Sequence, residues 1–309
     1  AGGARLMAAY PITPSSEIME YLIKKLPQFG GTVVQTEDEL AAVTMAIGAN
    51  YAGVRALTAS AGPGLSLMAE AIGLSGMTET PLVIVDTQRG GPSTGLPTKQ
   101  EQSDLMAMIY STHGEIPKVV LAPSTVEEAF YDAAEAFNIA EEYQCPVILL
   151  TDLMLSLGKQ SVEPPDMSRV EIRRGKLIQE DLPELEGKAY FKRYEVTEDG
   201  ISPRVIPGVK HGIHHVTGVE HNEEGRPSEA TKNRVDQMTK RLRKLNTFRL
   251  QDAVLVTEHH AEPDILFVGF NSTRGTIEEI MPRLETQGIK VDHLHIRQVH
   301  PFPSELVTP

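Results

Sequence analysis

The chain has 309 residues, of which 40% are apolar and 23% charged, and this composition excludes a wholly disordered protein. Its formal net charge of −13 argues against nucleic acid and anionic membranes as partners, and no apolar run approaches the roughly 20 residues of a membrane-spanning helix. The single cysteine, Cys145, excludes an internal disulfide and a self-contained iron–sulfur cluster, and it fits a cytoplasmic protein best.

Short apolar, β-branched runs alternate with longer helical stretches between residues 11 and 153. The runs lack period-two alternation, as expected of strands that are buried on both faces. This alternation predicts an α/β domain over residues 1–160, built on a doubly wound parallel sheet. The predicted strands are Thr32–Thr36, Val54–Thr58, Pro81–Asp86, Val119–Leu121 and Pro146–Leu150.

A helix is predicted after residue 123, where Ser124 and Glu127 form an S-x-x-E capping box in front of an amphipathic stretch. Cys145 begins the strand that follows this helix. We expect this cysteine to be a small core residue.

Residues 161–250 differ from the preceding domain, because proline, glycine and charged residues increase and the apolar periodicity fades. The segment is too long for a loop, so we expect an excursion that packs on the first domain or wraps a partner. Its histidines lie in loops at irregular spacing, which argues against a metal site.

A helix over residues 229–245 is predicted near the end of this excursion. The basic run Lys240–Lys244 is interpreted as its solvated face and not as a nucleic-acid contact. The predicted apolar stripe consists of Val235, Met238, Leu242 and Leu245.

A βαβ unit is predicted within residues 251–309, with strands at Asp264–Phe270 and Val291–Ile296 around a helix at Ser272–Leu284. Such a unit is right-handed by default. It has too few strands to stand alone, so we interpret the chain as a fragment of a longer polypeptide.

Four polar segments follow predicted strands, where parallel sheets place their ligands. In the first, Pro11 and Pro14 restrict the backbone and can hold the Thr13 hydroxyl toward a ligand, although Thr13 also fits a plain helix-entry turn. The four segments are Tyr10–Ser16, Gln35–Ala49, Thr58–Leu67 and Asp86–Gln102.

Glu39 lies in the second segment, among acidic residues that also suit the start of a helix. The small residues after it predict a surface to which another backbone or a flat ligand can come close, and Glu39 at its edge could bind a nitrogen heterocycle. The small residues are Ala41, Ala42, Ala46 and Gly48.

Gly62 and Gly64 open a helix in the third segment, where main-chain N–H groups can hold an anion or a polar ring edge. Arg89, in the fourth segment, can bind a carboxylate through two N–H groups, with Lys99 adding charge nearby. The alternative for Arg89 is an ion pair with Asp86 or Asp104.

These motifs resemble, in their order and spacing, the α subunit of 2-oxoacid:ferredoxin oxidoreductases, in particular the 2-oxoglutarate branch. The segments that carry this resemblance are YPITPSS, ELAAVTMAIGA, TASAGPGLSLM and DTQRGGPSTGLPTKQEQSD. The resemblance covers essentially the whole chain, including EDGISPR at Glu198–Arg204.

The resemblance implies that the first domain binds the pyrimidine ring of thiamine diphosphate, with Glu39 hydrogen-bonded to ring N1′. It also implies that Thr13 and Arg89 contact the carboxylate of the 2-oxoacid, and that residues 251–309 begin a transketolase C-terminal-like domain. The enzyme would then make succinyl-CoA from 2-oxoglutarate and coenzyme A, and would pass electrons to ferredoxin.

The sequence lacks the G-D-G…N motif that holds diphosphate and magnesium in this family, and it lacks the cysteines of an iron–sulfur cluster. The resemblance assigns both to a β subunit, so this chain would hold half of an active site. Lys99 favours a substrate with a second carboxylate. The alternatives are the same chemistry on pyruvate or a branched-chain 2-oxoacid, and a non-catalytic assembly module.

Overall fold

Strands and helices alternate from β1 to α6, as the sequence predicts, in a computed structural model that describes residues 1–184, 187 and 190–307. The strands are β1 (Leu6–Ala9), β2 (Thr32–Gln35), β3 (Ala56–Ser60), β4 (Leu82–Gln88), β5 (Val119–Leu121), β6 (Pro146–Asp152), β7 (Leu177–Ile178), β8 (Arg204–Val205), β9 (Val254–Thr257), β10 (Ile265–Gly269), β11 (Val291–Ile296) and β12 (Gln298–His300). The α-helices are α1 (Ser16–Lys25), α2 (Glu39–Tyr51), α3 (Gly62–Thr78), α4 (Leu105–Tyr110), α5 (Val126–Tyr143), α6 (Leu153–Leu157), α7 (Thr231–Arg243), α8 (Thr273–Glu285) and α9 (Ser304–Val307).

The main sheet has seven strands in the order β12-β5-β6-β4-β3-β1-β2. Strands β1 to β6 pair in parallel, and β12 is antiparallel to β5. This confirms the doubly wound parallel α/β fold. The sequence reading missed β1, which is only four residues long and lies between β2 and β3.

Apolar layers cover both faces of this sheet, because successive residues of a strand point to opposite sides. Val83 and Val85 of β4 enter one layer, while Ile84 enters the other. The first layer contains Cys145, which is fully buried as predicted, and burial raises the pKa of its thiol to about 12. None of the described helices is both long enough and apolar enough to cross a membrane.

Two predicted boundaries were displaced by side-chain hydrogen bonds. The strand predicted at Val54–Thr58 begins at Ala56, because the Asn50 side chain binds both the N–H and the C=O of Ala56. The predicted Ser124–Glu127 box was also wrong: Thr125 Oγ1 accepts from the N–H of Glu128 at 3.1 Å.

The excursion packs on the first domain through buried ion pairs between side chains. Glu141 of α5 is 3% exposed and pairs with Arg55, Arg174 and Arg204 at 2.7, 2.6 and 2.9 Å. Arg55 belongs to the first domain and the other two arginines to the excursion. A buried carboxylate thus joins the two segments.

The predicted orientation of the late helix, α7, was wrong. Val235 is 58% exposed, whereas Lys240 and Lys244 are fully buried and bind the buried Glu79 at 2.5 Å each. An acidic partner at the end of α3 compensates for the cost of burying the lysines. The basic run is therefore an internal ion cluster and not a solvated face.

Residues after 250 form a three-stranded sheet in the order β10-β11-β9. Strands β10 and β11 are parallel and joined by α8, which confirms the predicted βαβ unit. The chain then returns to the main sheet as β12. The division at residues 160 and 250 stays a prediction.

Candidate active site

The carboxyl ends of β1, β3 and β4 bring the predicted segments to one edge of the main sheet. Ser60 and Asp86 are register partners at the ends of β3 and β4. Beyond β4, the Arg89 guanidinium donates to the main-chain oxygen of Thr13, which follows β1. The segments therefore meet, as the rule for parallel sheets predicts.

Glu39 is the first residue of α2, and its side chain is only 7% exposed. The preceding Asp38 caps the helix, because its Oδ1 accepts from the N–H of Ala41 at 2.7 Å. Glu37 is exposed. The Glu39 carboxylate accepts no hydrogen bond from any residue that the structure describes, so a nearly buried acceptor is left for a ligand.

The glycines of the third segment allow close packing beside Glu39. A Cβ atom at Gly64 would lie 2.0 Å from Ser60 Oγ and 2.7 Å from Glu39 Oε1. A Cβ atom at Gly62 would lie 2.8 Å from Asp104 Oδ1. Both positions therefore require glycine, and they connect Glu39 on one side with Asp104 on the other.

The small surface predicted on α2 was wrong. Ala42 and Ala46 are fully buried inside the protein, whereas Gly48 is exposed on another side of the helix. Positions 42 and 48 point in different directions because the helix has 3.6 residues per turn. The residue that lets another backbone come close to Glu39 is instead Gly64.

Arg89 is 5% exposed and makes two hydrogen bonds to main-chain oxygens. Its Nη1 donates to Thr13 over 2.6 Å, and its Nη2 donates to Thr94 over 3.0 Å. Its Nε–H has no partner among the described residues, and neither Asp86 nor Asp104 forms an ion pair with it there. The alternative prediction, an ion pair between Arg89 and Asp86 or Asp104, is therefore wrong.

A cleft of about 300 Å³ opens beside Arg89. Neither Glu39, Thr13 nor Lys99 lines it. Its walls include Gly62, Ser66, Arg89, Glu101, Ser103 and Asp104.

Thr13 and Lys99 both have exposed side chains. The main-chain oxygen of Lys99 accepts from the N–H of Gly90 at 3.0 Å, so its backbone lies next to Arg89 while its amine is free to move in solvent. The structure thus groups Glu39 with Gly64, and Arg89 with Gly62.

Two further buried groups lie at this edge: Asp86, which sequence reasoning considered only as a partner of Arg89, and Gln88, which it missed. Burial and the neighbouring Asp104 raise the pKa of the Asp86 carboxyl well above its usual range. Gln88 accepts from the N–H of Asp104 at 3.1 Å and donates to Asn271 Oδ1 at 3.2 Å. Their signal was two polar side chains, two residues apart and therefore on one face, at the end of a strand that begins with four apolar residues.

The described histidines, cysteine and acidic residues include no cluster of three or more that could hold a metal ion. His293 and His295 are buried on β11 with ring centroids 5.6 Å apart, and desolvation lowers both pKa values.

Residues 1–240 match the family model described as pyruvate flavodoxin/ferredoxin oxidoreductase, thiamine diP-binding. The chain is 42% identical to 2-oxoacid:ferredoxin oxidoreductase 1, subunit alpha, from Sulfurisphaera tokodaii, over 99% of this chain and 50% of that protein. It is 37% identical to 2-oxoglutarate synthase subunit KorA from Methanocaldococcus jannaschii, over 99% of this chain and 80% of that protein.

A solved structure of 2-oxoglutarate:ferredoxin oxidoreductase from Magnetococcus marinus, with 2-oxoglutarate, coenzyme A and succinyl-CoA bound, matches with a TM-score of 0.89 at 39% identity. The match covers 99% of this chain and 52% of that one. The chain thus spans about half the length of the Sulfurisphaera and Magnetococcus proteins. By sequence and by fold, it belongs to the alpha-subunit family of the 2-oxoacid:ferredoxin oxidoreductases.

Proposed function

We propose that this chain forms the pyrimidine-binding and carboxylate-binding half of an active site that oxidatively decarboxylates 2-oxoglutarate to succinyl-CoA and CO₂. The two electrons released pass to ferredoxin. The observation that carries the proposal is the nearly buried Glu39 carboxylate, which has no hydrogen-bond partner among the described residues and packs against Gly64.

These residues fit a thiamine diphosphate ring. A buried carboxylate can accept from, or share a proton with, the ring nitrogen of a pyrimidine, and glycine at position 64 lets the start of α3 pack directly against Glu39. Thiamine diphosphate supplies the electron sink for decarboxylation when it is bound. In this proposal, Glu39 binds the ring nitrogen and its proton. The first turn of α3, at Gly62–Gly64, lies beside the ring.

The substrate carboxylate fits Arg89, whose guanidinium is fixed by Thr13 and Thr94. Its buried Nε–H has no hydrogen-bond partner among the described residues, and Nη2 carries a second N–H on the same side of the planar group. Together they match the two oxygens of a carboxylate. The Thr13 hydroxyl, which is exposed next to this guanidinium, adds a donor.

Lys99 supports a dicarboxylic substrate. Its exposed side chain extends from the loop that follows Arg89, so its ammonium group can reach the distal carboxylate of 2-oxoglutarate. The Methanocaldococcus relative and the Magnetococcus structure both carry 2-oxoglutarate in their names.

A second candidate is the same reaction on pyruvate or a branched-chain 2-oxoacid. The Sulfurisphaera relative is named for 2-oxoacids in general, and the freedom of the Lys99 side chain leaves the distal end of the site open.

The other half of the site comes from a β subunit in this proposal. That subunit holds the diphosphate, its magnesium ion and an iron–sulfur cluster, since this chain has one cysteine and that residue is buried. The partners of the complete enzyme are therefore the β subunit, ferredoxin, the 2-oxoacid and coenzyme A, in the cytoplasm.

The test is to co-produce the full-length protein with its β subunit and to assay ferredoxin reduction with several 2-oxoacids. We expect thiamine diphosphate-dependent and coenzyme A-dependent turnover, with the highest kcat/KM for 2-oxoglutarate. A higher kcat/KM for pyruvate would overturn the substrate assignment. A correctly assembled complex without turnover on any 2-oxoacid would favour the assembly-module alternative.

A further inference from the structure

Two carboxyl groups face each other beneath the Gly62–Gly64 turn. Asp86 of β4 is fully buried, and neither of its carboxyl oxygens has a hydrogen-bond partner among the described residues. Asp104, just before α4, also has one buried oxygen, Oδ2, without a partner there. Burial raises the pKa of both carboxyl groups; the contact with Asp104 raises the pKa of Asp86 further, whereas the contact with Asp86 lowers the pKa of Asp104.

A single proton resolves this arrangement. An ionised carboxylate that is buried without a partner is very costly, and two ionised carboxylates side by side are costlier still. A neutral Asp86 has one O–H group to donate, and Asp104 Oδ2 is an acceptor that needs a donor. One hydrogen bond between them satisfies both.

Asp104 in turn holds both parts of the candidate site. It accepts a hydrogen bond from the main-chain N–H of Gly62, which opens α3. Its own N–H donates to Gln88 Oε1, and the adjacent Ser103 hydroxyl donates to the main-chain oxygen of Arg89 at 3.1 Å. Asp104 therefore joins the turn beside Glu39 to the loop that carries Arg89.

We propose that Asp86 and Asp104 share one proton, and that Asp86 is a positioning residue that fixes Asp104 and, through it, the Gly62 turn and the Arg89 wall of the cleft. The part that concerns 2-oxoacid binding rests on the proposed function; the shared proton does not.

The charged groups that face this pair are few. Arg89 acts on Asp104 from the end of β4, and Glu39 lies across Gly64 on α2. Asp152, at the end of β6, is bonded to Ser272 and Gln102 instead. The uncharged polar groups around the pair are Thr58, Ser60, Ser103 and Thr151.

Infrared spectroscopy of the full chain tests the proton directly. At pH 8 the wild type should retain the C=O band of a protonated carboxylic acid, and Asp86→Asn should lose it. The control Asp292→Asn removes a carboxyl whose pKa is lowered by His260, so it should leave the band unchanged. A wild-type spectrum without the band, or a band that survives in Asp86→Asn, would overturn the proposal.

The pH dependence of stability gives a second readout. The folded chain keeps the Asp86 proton while the unfolded chain releases it above its ordinary pKa, so folding is progressively disfavoured as pH rises. The unfolding constant of the wild type relative to Asp86→Asn should rise about tenfold per pH unit between pH 5 and pH 7. Parallel pH profiles of the two proteins would contradict a shared proton.

The positioning role is tested in the assembled complex by comparing Asp86→Leu with Asp86→Asn. Both variants have nearly the shape of aspartate, but only asparagine can donate to Asp104. Asp86→Leu should raise the KM for 2-oxoglutarate on the order of tenfold with little change in kcat, and Asp86→Asn should restore it. Equal KM values in the two variants would refute the positioning role. A wild-type complex that turns over no 2-oxoacid would refute the proposed function alone, because the infrared and unfolding results decide the proton independently.

Discussion

The Nη1 group of Arg89 donates to the main-chain oxygen of Thr13 over 2.6 Å and so ties the loop after β4 to the turn after β1. With that hydrogen bond and the one from Nη2 to Thr94, the Nε atom is the guanidinium nitrogen that has no partner among the described residues. The arginine is thus held in place before a substrate arrives.

Arg89→Lys should raise the KM for every 2-oxoacid, because a lysine keeps the charge but loses the planar fork and one of the two main-chain contacts. Arg89→Ala should cost about 2–5 kcal/mol in kcat/KM if the carboxylate pair is desolvated. Steady-state kinetics of the assembled complex provide the measurement. The control is Arg283→Ala, on the exposed side of α8, and unchanged kinetics in Arg89→Ala would show a purely structural arginine.

Lys99→Ala should impair 2-oxoglutarate much more than pyruvate, because pyruvate has no distal carboxylate to lose. The measurement is the ratio of kcat/KM for the two substrates. If the variant changes both values equally, Lys99 gives no reason to prefer 2-oxoglutarate.

Glu39→Gln should lower turnover on the order of 10²-fold or more, because an amide cannot take up the proton of the ring nitrogen. Assembly with the β subunit should be unaffected, as size-exclusion chromatography can check. Glu37→Gln is the matched control, since Glu37 is exposed two residues earlier. A larger loss of turnover in Glu37→Gln would show that Glu37, and not Glu39, is the residue that binds the ring nitrogen.

Gly64→Ala should reduce both turnover and stability, because the new Cβ would overlap Ser60 Oγ and press on Glu39. Overpacking of this kind costs about 1–3 kcal/mol in the free energy of unfolding, measurable by urea denaturation. Gly73→Ala is the control in the same helix: nothing lies within 4 Å of its Cβ position, so alanine should stabilise by up to about 1 kcal/mol. Equal effects of the two variants would mean that the tight contact at Gly64 affects neither turnover nor the free energy of unfolding.

Glu79→Gln should destabilise the chain by about 3–5 kcal/mol, since it leaves Lys240 and Lys244 buried without a countercharge. The same lysines hold the pKa of Glu79 well below its usual range. Its stabilisation is therefore present above the unfolded pKa of 4.5 and is lost as the pH falls below that value. Asp236→Asn, which removes an exposed ion pair with Lys232, should change stability by less than about 0.5 kcal/mol. Similar losses in both variants would contradict the role of burial.

The strand-end placement of the candidate site could be predicted because it depends on local patterns. Apolar runs alternate with helices, and the rule for parallel sheets then assigns Glu39, Gly62 and Arg89 to one edge. The position of Arg89 at this edge was predicted, but its hydrogen-bond partners were not. Main-chain oxygens such as those of Thr13 and Thr94 are the same in every residue and leave no mark in a sequence.

The burial of charged side chains could not be predicted either, because their partners are distant in the sequence. Lys240 and Lys244 are one helical turn apart and look like a solvated face until Glu79, 161 residues earlier than Lys240, is placed against them. Asp86 likewise looked like a partner for Arg89. Its contact with Asp104 instead of Arg89 depends on how β4 and the segment before α4 are arranged in three dimensions.

The return of β12 to the main sheet affects how the protein can be made and divided. By pairing with β12, the short β5 becomes an interior strand, and its three residues are fully buried. A protein that ended near residue 250 would expose the hydrogen-bonding groups of β5 as a free apolar edge, which invites pairing between molecules and aggregation. During synthesis, this edge stays open until residues 298–300 have left the ribosome, so the main sheet is completed only then.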